Sequence, residues 1–309
     1  GYPSGGGMRN AQNNLTRLEP EADAGVTAYH VVYIDASIYW TPAGDVTTLD
    51  GFSISGAIAD GAEIIPLNGF DLHQNYGGGV YVNSGNVAIN NNRFIFHQAN
   101  RGAAIYLNES NATIDNNEIT DNDAVRGAGI YTAGSINSMT NNRILRNDAG
   151  NSGGGLYSHQ SSNTLTGNRF VTNTALGLGG AYYSAAGNTV SVNNTFEVNE
   201  ALNNGGAVYL QSGYHTFTAN TLVSNTANWG AAVYSNADSL ACINNVIANN
   251  LANVLGGGLF LVNGEAKLIN NTLTGNRAIQ EGGGIYAQTG EHQFDNNIFW
   301  NNQIGTNPN

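Results

Sequence analysis

Few residues of this sequence have the types and spacing that chemistry requires, and three acidic residues come closest. Asp121, Asp123 and Asp148 offer carboxylate oxygens, which are the ligands that calcium prefers. Glycoside hydrolysis would instead need two carboxylates that face one cleft. The acidic residues are scattered along the chain, and Arg126 and Arg146 lie within reach of the three candidates. We therefore predict no catalytic residue, no cofactor and no metal site, and keep calcium as the alternative.

The elements that would position any functional residue follow from a repeat of 25 or 26 residues. Each repeat is marked by an aromatic residue, here called the anchor: Tyr81, Tyr106, Tyr131, Tyr157, Tyr183, Tyr209, Tyr234, Phe260 and Tyr286. Eleven residues after each anchor stands an asparagine: Asn92, Asn117, Asn142, Asn168, Asn194, Asn220, Asn245, Asn271 and Asn297. Five residues further on, a second asparagine follows in every repeat except the first, which has His97. Such self-similarity indicates a solenoid, in which each repeat forms one coil and packs on its neighbours.

The period fits a coil of three short strands, because apolar residues recur at three positions of the repeat. In one coil these are Ile130 before the anchor, Met139 eight residues after it and Ile144 thirteen after it. Inward side chains at such positions would form a continuous core when coils stack at roughly 4.8 Å. The sequence thus predicts an all-β chain, a single-stranded parallel β-solenoid of roughly eleven coils.

The asparagine columns are predicted to be structural. Asparagine tolerates the left-handed backbone conformation that a sharp turn requires. Asparagines in register can also form a ladder, since each side-chain amide donates to one neighbouring coil and accepts from the other. A glycine four residues before each anchor, such as Gly205, would give conformational freedom to the corner.

The tyrosine column allows two orientations. Because side chains alternate along a strand, the tyrosines and the aliphatic residues before them cannot both point inward. We favour aliphatic residues inside and tyrosines outside, where the eight tyrosines would form an aromatic stripe that binds sugars or another protein. The alternative is a tyrosine stack within the core.

Charged residues on adjacent coils are predicted to form surface ion pairs. Asp121 and Arg146 occupy equivalent positions in neighbouring coils. The position after the first asparagine holds four charged residues in successive coils: Arg93, Glu118, Arg143 and Arg169. Pairs of this kind contribute about 0 to 1 kcal/mol each, so solvation is the simpler interpretation than ligand binding.

The two ends of the chain depart from the repeat. Residues 1–25 contain no repeat and are predicted to form an extended arm or linker, with the β-helix over residues 26–309. Residues 68–81 match 92–106 with one deletion, so we expect Asn68 to begin the ladder and His73 to lie one coil from His97. Two imidazoles so placed could bind a metal ion, although two substitutions in the turn ladder are the simpler interpretation.

At the other end, only seven residues follow Asn302, and none of them forms a recognisable cap. An open coil exposes backbone donors, backbone acceptors and core side chains. The sequence therefore predicts either a missing downstream segment or an end that the next molecule covers, head to tail.

Composition limits the partners. Charged residues make up 10% of the chain, and its formal net charge is −12, which disfavours nucleic acid and anionic membrane surfaces. The chain has no run of about 18 apolar residues, so we expect no membrane insertion. The single cysteine, Cys242, cannot form an internal disulfide.

Two sets of motifs resemble known families. Gly-Gly-Ala-Val at 205–208, with Phe-x-x-Asn at 170–173, 196–199 and 299–302, resembles the repeats of chlamydial polymorphic outer membrane proteins. The stretch TTLDGFSISGA at 47–57 resembles the opening coils of the pectin-lyase-like superfamily. Both resemblances imply a right-handed parallel β-helix. The second also implies a possible lyase chemistry, in which acidic residues bind calcium and a basic residue acts as the base.

The function predicted from these observations is non-catalytic. Uniform coils without a long inserted loop favour an extracellular or cell-surface protein with a structural or adhesive role, which binds surface glycans, surface proteins or further copies of itself. The alternatives are a carbohydrate-active enzyme, either a polysaccharide lyase or a glycoside hydrolase, and a passive carbohydrate-binding β-helix.

Overall fold

A computed structural model of the protein describes residues 16–19, 29–35, 46–67 and 70–305. Nearly all of its strands pair in parallel, and they wind into a solenoid with one regular turn for each of the nine anchors. The prediction of an all-β parallel solenoid is confirmed, with slightly fewer regular turns than the roughly eleven coils expected. Within the described residues, no helix is long and apolar enough to cross a membrane.

Each turn contributes four short strands to three walls, because the first wall bends in the middle. The first half of this wall carries the anchors, and its strands are here called the tyrosine strands: Val32–Asp35, Val80–Asn90, Ile105–Asp115, Ile130–Ala133, Leu156–His159, Tyr182–Ala185, Val208–Leu210, Val233–Ser235, Leu259–Leu261 and Ile285–Ala287. The second half contains the ends of the two eleven-residue strands and eight further strands: Thr47–Asp50, Ile136–Thr140, Ser162–Thr166, Thr189–Val192, Tyr214–Thr218, Ser239–Ile243, Glu265–Ile269 and Glu291–Asp295.

The other two walls are single sheets with short strands. The second wall has eleven strands: Thr16–Leu18, Phe52–Ser55, Arg93–Ile95, Glu118–Thr120, Arg143–Leu145, Arg169–Val171, Thr195–Glu197, Thr221–Val223, Val246–Ala248, Thr272–Thr274 and Ile298–Trp300. The third wall has ten strands: Ile58–Ala59, Gln98–Arg101, Asp123–Arg126, Asp148–Ser152, Thr174–Ala175, Glu200–Ala201, Thr226–Trp229, Leu251–Leu255, Arg277–Ala278 and Gln303–Ile304.

Register is kept from coil to coil, so residues of the same repeat position lie directly above one another. Tyr131 pairs with Tyr157 in the first wall, and Ile144 pairs with Phe170 in the second. The three predicted apolar columns all point into the coil and form one buried core. Since each coil shares this core with its neighbours, the stack rather than the single coil is the unit of stability.

The two asparagine columns form buried ladders, as predicted. Asn117 shows the pattern: its Oδ1 accepts from the backbone N–H of Asn92 at 2.9 Å, and its Nδ2 donates to Asn142 Oδ1 at 3.0 Å. Its Nδ2 also donates to the carbonyl oxygen of Ile89 at 2.7 Å. The ladders thus satisfy backbone groups that the turns leave without strand partners.

The left-handed conformation, which we predicted for the ladder asparagines, belongs to the residue before each of them. Asn116 has a φ of 54°, whereas Asn117 is not in the left-handed region. In this pair the first residue, Asn116, therefore adopts the left-handed backbone conformation, and the second, Asn117, makes the ladder hydrogen bonds. At the third corner the left-handed residue is glycine, and a Cβ added to Gly205 would clash with the carbonyl oxygen of Val208.

The region before Tyr81 differs from the prediction. Phe52–Ser55 pairs with Arg93–Ile95, and Ile58–Ala59 pairs with the start of Gln98–Arg101, so these strands supply the coil adjacent to His97. Ile64–Leu67 and Phe70–His73 form an antiparallel hairpin instead. The expectation that His73 lies one coil from His97 is therefore wrong, because a pattern that suits a wall strand suits a hairpin strand equally well. Asn68 lies outside the described residues.

Part of the predicted N-terminal arm is also described. Thr16–Leu18 pairs in parallel with Phe52–Ile54 and becomes the first strand of the second wall. The division into an arm over residues 1–25 and a β-helix over residues 26–309 stays a prediction.

Candidate binding site along the tyrosine column

The tyrosine strands place aliphatic and aromatic side chains on opposite faces. Ile130 belongs to the buried core inside the coil, whereas Tyr131 belongs to a separate cluster of tyrosines. The same alternation holds along the column, so the tyrosines lie outside the coil, the orientation that we favoured.

From Tyr106 to Tyr286, each ring of the column stacks on the rings of the adjacent coils. The rings of Tyr131 and Tyr157 have centroids 4.8 Å apart and planes 5° apart, and those of Tyr157 and Tyr183 are separated by 4.7 Å. The stack continues through Phe260 to Tyr286 at 5.0 Å. Because the spacing of the coils equals a favourable distance for aromatic stacking, register alone aligns the rings.

Stacking buries most of the surface that the predicted stripe would use for binding. Tyr157 is only 8% exposed, and Tyr81 is 2% exposed. Tyr209, Tyr234 and Tyr286 are less buried. Since neighbouring rings cover one another's faces, a ligand reaches ring edges and hydroxyl groups rather than ring faces. A binding role for the eight tyrosines stays a prediction.

Burial favours the neutral form of the phenol groups in the first part of the column. Burial raises the pKa of Tyr81 to about 12 and raises the pKa of Tyr106 and of Tyr183 further. The Tyr183 hydroxyl donates to Gln211 Oε1 at 2.6 Å, and the Tyr81 hydroxyl contacts the carbonyl oxygen of Asp71 at 3.4 Å. Tyr81, Tyr106 and Tyr183 therefore present protonated hydroxyl groups along the column.

Two arginines and the hairpin lie beside the first part of the stack. The guanidinium carbon of Arg101 lies 4.7 Å from the centre of the Tyr76 ring and 5.4 Å from that of Tyr131. The guanidinium carbon of Arg126 lies 6.0 Å from the centre of the Tyr157 ring. His73, at the end of the hairpin, stacks on Tyr76 at 4.4 Å. Sequence reasoning missed this cluster, although Arg101 and Arg126 both stand five residues before an anchor.

The predicted ion pairs are confirmed on the outside of the second wall. Glu118 contacts Arg93 at 3.0 Å and Arg143 at 2.7 Å. Asp121 contacts Arg146 at 2.7 Å, and this hydrogen-bonded guanidinium lowers the pKa of Asp121. Arg169 departs from the predicted column and contacts Glu197 at 3.5 Å.

The three acidic residues considered for calcium are not brought together. Asp121 lies in a turn of the second wall beside Arg146, while Asp123 and Asp148 pair across adjacent coils of the third wall. Burial, followed by the charge of Asp148, raises the pKa of Asp123. In the described part of the chain, no group of three or more His, Cys, Asp or Glu residues is arranged to hold a metal ion.

A groove of about 420 Å³ runs over the outer face of the third wall. Its lining includes the carboxylates of Asp60 and Asp123 and the amides of Asn75, Gln98 and Asn100. The rest of the lining is mostly apolar, so the groove carries two carboxylates and three amides on an apolar surface, and it lies on a different wall from the tyrosine stack.

Comparison with known proteins supports the fold. A family model described as a right handed beta helix region matches residues 38–222. No curated protein and no solved structure matches the chain. The match gives the handedness of the solenoid, whereas the resemblance to chlamydial outer membrane repeats stays an expectation.

Proposed function

Since the chain belongs to the right-handed β-helix family, we propose that it is a non-catalytic structural or adhesive protein, extracellular or on the cell surface. In this proposal the β-helix is a rigid support whose long side contacts surface glycans or surface proteins. Fold alone does not determine function, so the argument rests on one feature of the side-chain arrangement.

The observation that carries the proposal is the unbroken tyrosine stack. Its rings hold one another in place at 4.7 to 5.4 Å from Tyr106 to Tyr286, so their edges and hydroxyl groups form a long row with little freedom. Tyrosine contributes contact area and hydrogen bonding at a low cost in conformational entropy, which suits binding surfaces. A row that repeats with each coil matches a partner that also repeats, such as an extended glycan.

Binding to an array of neutral and charged glycans tests the proposal. We expect the double variant Tyr157→Ser, Tyr209→Ser to lose most of the binding of the wild-type protein. A matched control is Val171→Ser, Val223→Ser, which changes two half-buried residues on the second wall. Circular dichroism checks that both variants fold. Binding that is equal in both variants would count against the tyrosine row as the contact surface.

The last described coil supports a further part of the proposal, end-to-end association between copies. Phe294 and Phe299 are 43% and 50% exposed, whereas Leu268 and Leu273, their counterparts one coil earlier, are fully buried. Each coil pairs with a coil of similar sequence throughout the solenoid, so another copy could supply a matching coil by the same hydrogen bonds. Electron microscopy at high protein concentration should show filaments that Phe299→Asp abolishes. Strictly monomeric wild-type particles would contradict this part.

The acidic groove favours a second candidate function, a glycoside hydrolase. Asp123 and Asp148 stand on adjacent coils, and burial, followed by the charge of Asp148, holds the pKa of Asp123 above its usual value, as a general acid requires. A screen for polysaccharide degradation, with and without calcium, tests this candidate. Any activity found should be lost in Asp123→Asn and kept in Asp121→Asn, since the Asp121 carboxylate is bound to Arg146.

A further inference from the structure

Arg101 and Arg126 differ from the other arginines of the described chain in having no oxygen partner. Arg277 donates to the carbonyl oxygen of Gly305. Five arginines contact carboxylates: Arg17, Arg93, Arg143, Arg146 and Arg169. Among the described residues no carboxylate lies within ion-pair distance of Arg101 or Arg126, although acidic residues outnumber basic ones by 22 to 10 in the whole sequence. The buried Nε of Arg101 also has no hydrogen-bond partner.

The two arginines are neighbours on adjacent coils. Arg101 and Arg126 pair in register on adjacent strands of the third wall. Each reaches over the ring of the anchor in the following coil, Tyr131 for Arg101 and Tyr157 for Arg126. The backbones of the two arginines thus lie on adjacent strands, about 4.8 Å apart, and both side chains extend to the same tyrosine stack. Two cations so placed repel each other, and the repulsion is relieved when an anion binds between them.

We propose that Arg101 and Arg126 bind a tetrahedral oxyanion, a sulfate or phosphate group, at the edge of the tyrosine stack. Guanidinium groups bind such anions through paired N–H donors, and stacking on tyrosine holds the donors in a fixed orientation. Donors that come from two successive coils approach from two directions, which suits a tetrahedral anion better than a planar carboxylate. Both side chains are half-buried, so their outer donors remain accessible.

The proposal rests on the proposed function, because it names the ligand class of the same tyrosine surface: a glycan that carries a sulfate or phosphate group. The net charge of −12 does not prevent such a contact, since charges beyond about 8 to 10 Å are largely screened at physiological ionic strength. The two arginines would therefore act as a local cationic site on an acidic protein.

Isothermal titration of the full chain tests the proposal with four probes: inorganic sulfate, inorganic phosphate, a sulfated disaccharide and the same disaccharide without sulfate. We expect the sulfated disaccharide to bind at least about tenfold more tightly than its unsulfated form. Arg101→Gln and Arg126→Gln should each remove most of this difference. Arg143→Gln, which changes an arginine on the second wall, is the matched control and should retain it.

The outcomes separate the sources of the anion and the two proposals. Tight binding of the sulfated disaccharide with weak binding of inorganic sulfate and phosphate indicates that the site recognises a glycan-borne group. Equal binding of the sulfated disaccharide, sulfate and phosphate indicates a site for the free ion. Both outcomes support an anion site at the two arginines. A wild-type protein that binds neutral glycans but does not discriminate for sulfate overturns this inference and leaves the proposed function standing. If neither glutamine variant folds, Arg101→Lys and Arg126→Lys replace them, because lysine keeps the positive charge but lacks the planar, paired donors of a guanidinium group. Binding that is unchanged in both lysine variants overturns the site.

Discussion

The asparagine ladders and the tyrosine stack are both columns of one residue type in register, but they lie on opposite sides of the backbone. Asn225 is fully buried and bonds to both adjacent coils, with its Oδ1 accepting from the backbone N–H of Asn199 at 2.9 Å. Tyr157 lies outside the coil and contacts its neighbours through ring faces. The first column satisfies backbone groups that have no other partner, and the second adds contacts to a strand that is already fully bonded.

This difference explains which substitutions each column accepts. In the second ladder the only replacement is His97, which can both donate and accept. In the tyrosine column the replacement is Phe260, which keeps the ring and lacks the hydroxyl group, and it still stacks at 5.0 Å on both neighbours. A ladder position therefore accepts a residue that can both donate and accept the same hydrogen bonds, and a stack position accepts a residue with a ring of the same shape.

The largest effect is expected when a ladder asparagine is removed. Asn225→Ala removes the acceptor of the backbone N–H of Asn199 and one of the two acceptors of Asn199 Nδ2, and it leaves the carbonyl oxygen of Phe196 without its side-chain donor. Each unsatisfied buried group costs about 1 to 3 kcal/mol, so we expect a loss of about 4 kcal/mol in the free energy of unfolding, measured in urea.

Asn249→Gly is the matched control for this prediction. Asn249 lies in the same column of turns and has a φ of 55°, and glycine occupies the equivalent position one coil later at Gly275. Its replacement should therefore change stability by less than about 0.5 kcal/mol. Similar losses in the two variants would mean that the ladder bonds are not what stabilises the turn.

The next effect is a pH dependence at the one histidine of the ladder. His97 Nδ1 accepts from the backbone N–H of Ala57 at 3.2 Å, and Nε2 donates to the carbonyl oxygen of Ile54 at 3.0 Å, so the neutral ring copies an asparagine amide. Burial lowers the pKa of His97 from 6.5 to about 4. Between these values the unfolded chain binds the proton and the folded chain does not, so stability falls as pH falls from 6.5 to 4, by about 3 kcal/mol in all.

His97→Asn should remove this dependence, since asparagine supplies the same acceptor and donor without titrating. We expect unfolding free energies of the variant and the wild type to agree within about 1 kcal/mol at pH 7.5 and to diverge in favour of the variant at pH 4.5. The pKa of His30, His73 and His215 is also lowered by burial, and the difference between the two proteins cancels their contributions. Parallel pH profiles would show that His97 is not neutral in the ladder.

The sequence predicted the columns but not the contacts between columns. Repeat spacing was enough to place Asn117 above Asn92 and to put the aliphatic residues inside, because the register between coils follows directly from the repeat length counted along the sequence. The hairpin of Ile64–Leu67 and Phe70–His73 was missed, since residues 68–81 resemble the repeat at 92–106 and were therefore assigned to a wall. The left-handed residue was assigned one position too late, because both members of the pair Asn116–Asn117 are asparagine and composition does not distinguish them.

The candidate site could be predicted only in part for a related reason. The outward orientation of the tyrosines followed from the alternation of side chains along a strand. Their burial, in contrast, depends on the coil spacing being equal to a favourable distance between stacked rings, and the residue types alone do not indicate this. The cluster of Arg101 with Tyr76 and Tyr131 joins three coils through a long side chain. Such contacts require the three-dimensional path of the side chain, whereas the paired charges of Asp121 and Arg146 could be predicted because the two residues share one repeat position.

A moderate effect is expected in the tyrosine stack. Tyr157→Ala removes a buried ring that contacts Tyr131 and Tyr183, and it leaves the hydrogen bonds of the strand intact. We expect a loss of about 2 kcal/mol, less than for the ladder asparagine, because no polar group becomes unsatisfied. Tyr157→Phe should stay within about 0.5 kcal/mol of the wild type, as Phe260 suggests. If Tyr157→Ala and Asn225→Ala lowered the free energy of unfolding equally, the proposed difference between the tyrosine stack and the asparagine ladder would be wrong.

The smallest effect is expected for the charges outside both columns. Asp121→Asn breaks the contact with Arg146, whose side chain is 55% exposed, so the loss should be about 0.5 kcal/mol. The pKa of Asp121 is lowered in the folded chain, so this contribution is present above the unfolded pKa and disappears as acid protonates the carboxylate. Wild type and variant should therefore converge as the pH falls through the folded-state pKa of Asp121. Asp123→Asn is the opposite control, because the pKa of Asp123 is raised by burial and by Asp148, and neutralising it should leave stability unchanged or raise it. Destabilisation of equal size in both variants would mean that these carboxylates act through local hydrogen bonds rather than through charge.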